Sequence, residues 1–274
     1  MKGCPLSCRW CSNPESMKSV IEIMDFSMKC TGCGRCQEAC PRDAVYVADA
    51  VRKVDKSKCD LCMRCVEVCF SGGKEVIGRY ISVDECVKEV EKDKLFYANS
   101  GGGMTVSGGE PLLQWEFVRD VLEACKAKGI HTALDTTGYA PWGVLESVLP
   151  FVDLVLYDIK NLSDEAHKLG TGVNNELILA NVRKVAETTR VWLRVPLIPD
   201  FNDADSDIEG LAQLGLELGV DKISLLPYHS WGEQKYERLG REYLLHGVDT
   251  QSEERVGELK RILDSHGLGA SIGL

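Results

Sequence analysis

The chain has 274 residues, 13 cysteines and a formal net charge of −10 at pH 7. Eleven cysteines fall between Cys4 and Cys69, and the long cysteine-poor remainder can build its own core, which argues against a small secreted disulfide scaffold. The composition has neither the basic balance of a nucleic-acid-binding protein nor an apolar stretch of the ~18 residues that a membrane span needs. No apolar run precedes Cys11, as an export signal would require, so we expect a cytoplasmic protein with metal-binding thiols.

The first cysteine group is Cys4, Cys8 and Cys11, spaced C-x3-C-x2-C. Three thiolates can hold three irons of a [4Fe–4S] cluster and leave the fourth iron open for another ligand. A structural zinc knuckle is the alternative, but zinc prefers four protein ligands, and no further Cys or His occurs between Cys11 and Cys30. The spacing therefore favours an iron–sulfur cluster with an open position.

The second and third cysteine groups share one spacing, C-x2-C-x2-C-x3-C: Cys30, Cys33, Cys36 and Cys40, then Cys59, Cys62, Cys65 and Cys69. This spacing is typical of bacterial two-cluster ferredoxins, in which the fourth cysteine of each run binds the other cluster. On that pattern Cys69 completes the first run and Cys40 the second. Two zinc sites are the alternative, and the repeated three-residue spacing before the fourth cysteine disfavours them. Phe70 follows Cys69 where the pattern has proline, as Pro41 follows Cys40.

Beyond about residue 81 the sequence alternates between helix and strand patterns. We expect helices at 82–95, 112–128, 141–150, 174–188, 207–218 and 251–265, and strands at 104–107, 131–135, 153–158, 191–198 and 221–227. Such alternation implies parallel strands joined by right-handed crossovers. Cys86 and Cys125 lie on apolar helix faces and are expected to be buried structural thiols.

The fold class that follows is α/β, a partial (β/α)6 TIM-like barrel with an inserted ferredoxin-like domain for two [4Fe–4S] clusters. Five strands follow residue 100, and a sixth would have to precede Cys4, so we expect a truncated first strand. The domain prediction is a barrel start with the cluster motif at 1–24, the insert at 25–80 and the remaining barrel at 81–274.

Polar and glycine-rich segments follow four of these strands: Ser107–Glu110, Asp135–Gly138, Asp158–Lys160 and Pro227–His229. Ligands bind at the carboxyl ends of strands in parallel α/β folds, so these segments predict one ligand-binding edge. Each has a structural alternative. The glycines fit a plain tight turn, Asp135 a helix cap, Lys160 a solvated side chain, and His229 a structural histidine.

The cysteine triplet, with the aromatic Trp10 before Cys11, resembles that of the radical S-adenosylmethionine (SAM) superfamily. More narrowly, the chain resembles the activating enzymes of glycyl radical enzymes. The resemblance rests on GCPLSCRWCSNPES, SGGEP, DTTG, DIK, NELILANVRKVAE, RVPLIPD and LLPYHSWGEQKYERLG, which together span nearly the whole chain. It implies an oxidoreductase of EC 1.97.1.- type that cleaves SAM reductively and uses the 5′-deoxyadenosyl radical to make a glycyl radical on a partner enzyme.

The resemblance also implies ligands and residues. It implies three [4Fe–4S] clusters and SAM, with no protein acid or base in the reaction. The implied SAM contacts are Trp10, Cys11, Ser12, Gly108, Gly109, Glu110, Asp135, Asp158, Ile159, Lys160 and His229. A monovalent cation is implied beside Asp135, Asp158, Thr136 and the Tyr157 carbonyl. Arg194 matches a family arginine, with a salt bridge at the core edge as its alternative role.

The expected partners are a glycyl radical enzyme and, as electron donor, flavodoxin or ferredoxin, with no nucleic acid or membrane, and the protein is expected to be a monomer. A ferredoxin-like insert occurs in a subset of these activating enzymes whose partners handle glycerol, choline, benzylsuccinate or 4-hydroxyphenylacetate. Two alternatives stay open at this point. One is a radical SAM enzyme acting on a small molecule, and the other is an inactive, truncated electron-transfer protein.

Overall fold

The structure is a computed structural model that describes residues 1–48 and 51–273. The strands are β1 (Glu22–Asp25), β2 (Val45–Ala48), β3 (Val51–Val54), β4 (Lys74–Ile77), β5 (Gly103–Val106), β6 (His131–Thr136), β7 (Leu154–Asp158), β8 (Val191–Leu197), β9 (Lys222–Pro227) and β10 (Ala270–Ile272). The helices are α1 (Arg35–Glu38), α2 (Arg64–Glu67), α3 (Val83–Glu91), α4 (Lys94–Ser100), α5 (Trp115–Ala127), α6 (Trp142–Val148), α7 (Asp164–Thr171), α8 (Glu176–Ala186), α9 (Asp205–Leu218), α10 (Glu233–Arg238) and α11 (Glu253–Ser265). None of these helices is long and apolar enough to cross a membrane.

The elements from β1 to β4 form a duplicated unit. Strand β1 pairs antiparallel with β4, and β2 pairs antiparallel with β3. The order strand, helix, strand occurs twice, and each element of the second copy follows its counterpart by the same offset that separates Cys59 from Cys30. The repeat seen in the cysteine spacing therefore extends to the backbone, and each sheet pairs a strand of one copy with a strand of the other.

The larger part of the chain is a parallel sheet in the order β10-β9-β8-β7-β6-β5. Along β8 every second residue is buried, as in a strand with one face on the core. Leu193, Ile223 and Leu225 are fully buried there beside the helices. The sheet keeps two edges, β5 and β10, and is consistent with a partial barrel. The predicted α/β class and the five predicted strands are confirmed.

The sixth strand differs from expectation. Strand β10 lies near the carboxyl end of the chain and pairs in parallel with β9, whereas the sequence pattern suggested a strand ahead of Cys4. With three residues flanked by Gly269 and Gly273, β10 is too short to show a periodic pattern.

Helical regions differ as well, and the short helices α1, α2 and α10 were not predicted. The predicted helix 82–95 is divided into α3 and α4 around Asp93, and a capping box between Ser82 and Glu85 fixes its start. Helix α7 was not predicted, because its buried face is formed by His167, Gly170 and Thr171 rather than by apolar side chains. Cys125 is fully buried as expected, and Cys86 is half-buried against the same core.

Candidate functional site

The loop that carries Cys4, Cys8 and Cys11 is anchored by the last turn of α7. The backbone N–H of Ser7 donates to the Thr171 carbonyl at 2.7 Å, and that of Arg9 donates to the Gly170 carbonyl at 3.0 Å. Carbonyls in the last turn of a helix have no partner within the helix, so the loop satisfies them. Helix α7, which sequence reasoning missed, thus positions the first cysteine group.

The three thiols of this loop share one cationic neighbour. Burial raises the pKa of Cys4 to about 11 and that of Cys8 to about 12, and it also raises the pKa of Cys11. The Lys160 ammonium opposes this rise at all three thiols. Thiolates, not thiols, bind metal, so the buried lysine stabilises the form that a cluster requires.

Trp10 lies in an apolar cluster beneath the loop. Its ring centroid is 4.6 Å from that of Phe201, and the two rings cover Gly170, where a Cβ atom would collide with both. The other buried members of this cluster are Ile198, Tyr228, Tyr236 and Tyr243. The structure therefore places Trp10, a predicted SAM contact, where it supports the loop from below.

The predicted glycine turn after β5 is packed against the first residues of the chain. The Gly109 N–H donates to the Met1 carbonyl at 3.0 Å, and the Glu110 N–H donates to the Gly3 carbonyl at 2.7 Å. Gly108 has φ 137°, and a Cβ at Gly108 or Gly109 would collide with the backbone of Met1 or Gly3. Both glycines are thus required by a close backbone approach, which joins this turn to the cysteine loop.

Glu110, another predicted SAM contact, is buried among hydrogen-bond donors. Its carboxylate accepts from the Thr136 hydroxyl at 2.6 Å and from the N–H and hydroxyl of Thr137 at 2.8 and 2.6 Å. The Leu112 N–H donates to the same carboxylate at 3.2 Å. Burial raises the pKa of Glu110 although these donors oppose the shift. In this arrangement Glu110 locks the glycine turn to the turn that follows β6.

An ionic network crosses four neighbouring strands, with Ser107, Asp135 and Asp158 at or near the carboxyl ends of β5, β6 and β7 and Arg194 in the middle of β8. The Ser107 hydroxyl donates to Asp135 at 2.7 Å, and Arg194 Nη1 lies 2.8 Å from the same carboxylate. Lys160 Nζ donates to Asp158 Oδ2 at 2.9 Å, while Arg194 Nε lies 3.8 Å from Asp158 Oδ1, too far for a hydrogen bond. Burial and then Asp158 raise the pKa of Asp135, which Arg194 opposes. Both aspartates thus have cationic partners from the chain itself.

His229 completes this edge after β9. Its ring lies 4.3 Å from the Trp231 ring. Gly232, a little further along the chain, is so close to Ser12 and Cys11 that a Cβ would collide with the loop backbone. The segment after β9 therefore meets the cysteine loop. Ile159, in contrast, is buried in the main core.

Within the part of the chain that the structure describes, three buried polar atoms at this edge have no hydrogen-bond partner: Asp158 Oδ1, Arg194 Nε and His229 Nδ1. Buried polar atoms are normally satisfied by protein, water or ligand. The donors and the acceptor suit a ligand with both a carboxylate and an ammonium group, and SAM carries both. The residues present therefore fit the predicted cofactor.

Sequence reasoning left Asn202 unremarked. Its side chain donates to the carbonyls of Lys160 and Pro196 at 2.7 Å each and accepts from the Ile198 N–H at 2.8 Å. It therefore fixes the backbone that carries Lys160. A polar residue that follows a strand by a few positions, at the edge where the other site residues lie, is the signal that could have drawn attention to it.

The second and third cysteine groups face a common cavity of about 1340 Å³. The cavity is lined by all eight cysteines of the two groups, Cys30, Cys33, Cys36, Cys40, Cys59, Cys62, Cys65 and Cys69. Its wall continues onto Glu237 and Leu239, at and just beyond the end of α10. Every cysteine of the chain is a free thiol, and no three His, Cys, Asp or Glu side chains in the described ranges lie close enough to hold a single metal ion.

Comparison with known proteins identifies relatives across this whole arrangement. Residues 1–214 match the family described as the radical SAM superfamily. The chain is 45% identical over 250 residues to the isethionate sulfite-lyase activating enzyme of Nitratidesulfovibrio vulgaris. The aligned region covers 88% of this chain and 81% of that one. It is 38% identical over 276 residues to the trans-4-hydroxy-L-proline dehydratase activating enzyme of Clostridioides difficile, which covers 99% and 91%.

Further relatives extend the likeness. The benzylsuccinate synthase activating enzyme of Thauera aromatica is 38% identical over 284 residues, covering 100% of this chain and 86% of that one. A crystal structure of a domain of pyruvate-formate lyase-activating enzyme from Bacteroides vulgatus superposes with a TM-score of 0.54 at 36% identity, covering 63% of this chain and 99% of that one. A radical SAM methyltransferase from Sphaerobacter thermophilus, at 20% identity and a TM-score of 0.53, shares the fold over 72% of this chain and 59% of that one.

Proposed function

Because this chain belongs to the radical SAM superfamily and its relatives are activating enzymes, we propose that it activates a partner glycyl radical enzyme. The observation that carries the proposal is the convergence of the cysteine loop, the glycine turn and the ionic network at one edge of the sheet. A cluster held by Cys4, Cys8 and Cys11 would supply the electron for the reductive cleavage of SAM to methionine and a 5′-deoxyadenosyl radical, and hydrogen transfer to that radical would leave a glycyl radical on the partner.

The chain's own residues bind and orient in this proposal. Cys4, Cys8 and Cys11 hold the cluster, and the Lys160 charge stabilises their thiolates. Asp135 and Asp158 provide negative charge for the methionyl ammonium of SAM, while cationic groups beside them suit its carboxylate. Fixed positioning of these groups is the protein's contribution to the chemistry.

We further propose that residues 25–80 form a ferredoxin-like insert that holds two additional [4Fe–4S] clusters. Its support is the cavity that all eight cysteines line, together with the repeated order of strands and helices around them. The fourth cysteines exchange between the two runs, so that Cys69 joins the group of Cys30 and Cys40 joins the group of Cys59. Residues 1–24 and 81–274 then form the radical SAM barrel.

Helix α10 lies between the two cysteine-bearing regions. Lys235, the third of its six residues, donates to Asn13 at 2.9 Å and to Glu15 at 2.7 Å, just beyond the first cysteine group. Gln234, Glu237 and Arg238 line the eight-cysteine cavity. One short helix therefore contacts both cysteine-bearing regions, and this proximity supports a role of the two additional clusters in delivering electrons to the first. Flavodoxin or ferredoxin as donor, a bound monovalent cation, a monomeric state and a cytoplasmic location stay predictions.

The test is anaerobic reconstitution with iron and sulfide, followed by incubation with SAM, dithionite and one partner at a time. Isethionate sulfite-lyase, trans-4-hydroxy-L-proline dehydratase and benzylsuccinate synthase are suitable partners, because activating enzymes for them are among the relatives. We expect a glycine-centred EPR doublet with at least one glycyl radical enzyme. SAM cleavage without a doublet for any such enzyme would favour a small-molecule substrate, and no SAM cleavage would contradict the enzyme assignment.

A matched pair of cysteine variants controls this experiment. Cys8→Ala removes a proposed cluster ligand and is expected to abolish SAM cleavage. Cys125→Ala makes the same chemical change in the helical core, and we expect SAM cleavage to persist. Equal loss in both variants would contradict the ligand assignment of Cys8.

A further inference from the structure

The duplicated unit contains a buried ionic cluster beside Cys30. Arg52 Nη1 lies 3.6 Å from Cys30 Sγ, within hydrogen-bond range for sulfur, and Arg52 Nη2 donates to the Gly73 carbonyl at 3.0 Å. Asp25 pairs with both Arg52 and Lys74, the latter at 2.8 Å. The side chains of Arg52 and Lys74 are 7% and 1% exposed, while that of Asp25 is 34% exposed. The guanidinium is thus held out of solvent against a cysteine sulfur.

The same guanidinium is an electrostatic neighbour of Cys69. Cys69 is the residue that the ferredoxin pattern assigns to the same cluster as Cys30. Arg52 therefore acts on two of the four sulfurs of one proposed site.

The other half of the repeat has no such cluster among its equivalent positions. The offset that relates Cys30 to Cys59 places Ile23 opposite Arg52, Val54 opposite Asp25, and Val45 opposite Lys74. All three equivalents are apolar, and they line the same cavity. The two cysteine groups have matching spacing and matching strands, but a buried guanidinium lies within hydrogen-bond range of a sulfur of one group, where the equivalent position of the repeat is an isoleucine. The Lys74 ammonium is an electrostatic neighbour of Cys65 in the other group, but its hydrogen bond goes to Asp25.

Charge and hydrogen bonds to the sulfurs are two of the quantities that set the reduction potential of an iron–sulfur cluster. A nearby cation favours the reduced state, which carries the more negative charge, and it acts more strongly out of solvent. We propose that Arg52 is a positioning residue that gives the cluster of Cys30, Cys33, Cys36 and Cys69 a higher reduction potential than its partner cluster. This inference rests on the proposed function of the insert. One electron from an external one-electron donor then resides preferentially on the Arg52 side.

The test is an anaerobic redox titration of the full chain followed by EPR. A background of Cys4→Ala, Cys8→Ala and Cys11→Ala removes the first cluster, so that only the insert clusters titrate. We expect two separate reduction waves. Arg52→Ile, which makes the two halves alike, should move the upper wave to lower potential and leave the lower wave in place. Asp25 keeps Lys74 as its partner in this variant, and the Gly73 carbonyl keeps the Phe26 N–H, so no buried group is orphaned.

Two further variants separate electrostatics from structure. Arg52→Lys keeps the charge and should keep the two waves apart. Lys29→Ile removes a charge next to Cys30 in the sequence, but that side chain is 51% exposed, so its effect should be much smaller than that of Arg52→Ile. Equal shifts in Arg52→Ile and Lys29→Ile, an unchanged upper wave in Arg52→Ile, or the same change in Arg52→Lys as in Arg52→Ile would overturn the inference.

Iron and sulfide analysis distinguishes this result from a failure of the proposed function. Wild-type protein with the content of three clusters but a single unresolved wave for the insert overturns only the inference about Arg52. Wild-type protein with the content of one cluster overturns the proposed insert clusters and the inference together.

Discussion

At the ligand-binding edge, burial and Asp158 raise the pKa of the Asp135 carboxyl, while Arg194 acts in the opposite direction. This carboxyl lies between a cation, Arg194, and an anion, Asp158, and burial disfavours its charged form. The raised pKa means that Asp135 takes up a proton at a higher pH than an ordinary aspartate, whose pKa is about 3.9. The charge proposed to bind the SAM ammonium is therefore lost early as the solution is acidified.

A pH dependence of SAM binding follows from this shift. We expect the Kd for SAM to increase as pH falls through the raised pKa of Asp135, because the protonated carboxyl no longer attracts an ammonium group. Titration calorimetry of the reconstituted protein across a pH series measures it. Asp135→Asn should bind SAM more weakly and lose this limb of the profile. An identical profile in the wild type and in Asp135→Asn would contradict the assignment.

The hydrogen bonds of Glu110 predict a loss of thermal stability when this residue is substituted. Glu110→Gln replaces one of the two acceptor oxygens by an NH2 group, which then faces either the Thr137 N–H, a donor to Oε2, or the Leu112 N–H, a donor to Oε1. Leaving buried donors unpaired costs about 1–3 kcal/mol each. We expect a lower thermal midpoint of the holoprotein, measured anaerobically by circular dichroism. Glu116→Gln, on the exposed first turn of α5, is the matched control and should leave the midpoint unchanged.

The raised pKa of Glu110 also predicts how its contribution to folding stability changes with pH. Since burial raises its pKa in the folded state, the folded protein binds this proton more tightly than the unfolded chain does. The resulting contribution to stability is present below the ordinary glutamate pKa and is lost as pH rises through the raised value. Glu110→Gln should remove this contribution to the pH dependence of the thermal midpoint, while Glu116→Gln should retain it.

At the scale of elements, α7 has the largest consequence for the site. Its last turn accepts the hydrogen bonds of Ser7 and Arg9, and Gly170 lies directly beneath the rings of Trp10 and Phe201. The helix therefore fixes the position of the cysteine loop through these hydrogen bonds, and it also fixes how Trp10 and Phe201 pack against Gly170. Its geometry predicts that a single methyl group at Gly170 would displace the loop.

Gly170→Ala tests this prediction. The added Cβ would overlap both rings, and such overpacking costs about 1–3 kcal/mol. We expect reduced iron content in the first cluster, measured by iron analysis and by the EPR signal of the reduced protein. Gly143→Ala in α6 has open space around its Cβ and should be neutral or stabilising by about 1 kcal/mol, as alanine favours helix. Equal iron content in both variants would contradict the role of α7.

The elements that the sequence revealed are those with strong periodic or spacing signals. The cysteine spacing and the five strands up to β9 were visible, since each carries a pattern of its own. Helix α7 and strand β10 were not, because one buries polar and glycine residues and the other is very short. A salt bridge was the alternative role expected for Arg194, but its partner Asp135 was out of reach, because the pairing depends on the register and proximity of strands that lie far apart in sequence.

At the scale of the whole molecule, Lys56 connects the duplicated unit to the segment just beyond α10. The Lys56 ammonium donates to the carbonyls of Leu239 and Gly240, just beyond α10. Burial lowers the pKa of Lys56, and the cation is held by these carbonyls. Helix α10 also contacts the segment after the first cysteine group through Lys235. The Lys56 contact therefore links the duplicated unit, through α10, to the first cysteine group.

Lys56→Met should loosen this connection without removing a cluster ligand. We expect faster amide hydrogen exchange in the segment 236–241, because the carbonyls that Lys56 bridges lose their shared partner. Lys58→Met, which removes an exposed lysine of the same turn, is the control and should leave exchange in that segment unchanged. Unchanged exchange in Lys56→Met would show that other contacts hold the duplicated unit against this segment.

The ionic cluster of Asp25, Arg52 and Lys74 limits the order in which the equivalent positions of the other half of the repeat can be substituted by charged residues. A cation introduced alone into the apolar half at Val45, which is buried, would lie out of solvent without a counter-ion, a cost of several kcal/mol. An acid at the equivalent of Asp25 is the tolerable first step, because Asp25 itself keeps a third of its side chain in solvent. The three positions are therefore epistatic, and the order of substitution decides whether the two halves can exchange their electrostatic character.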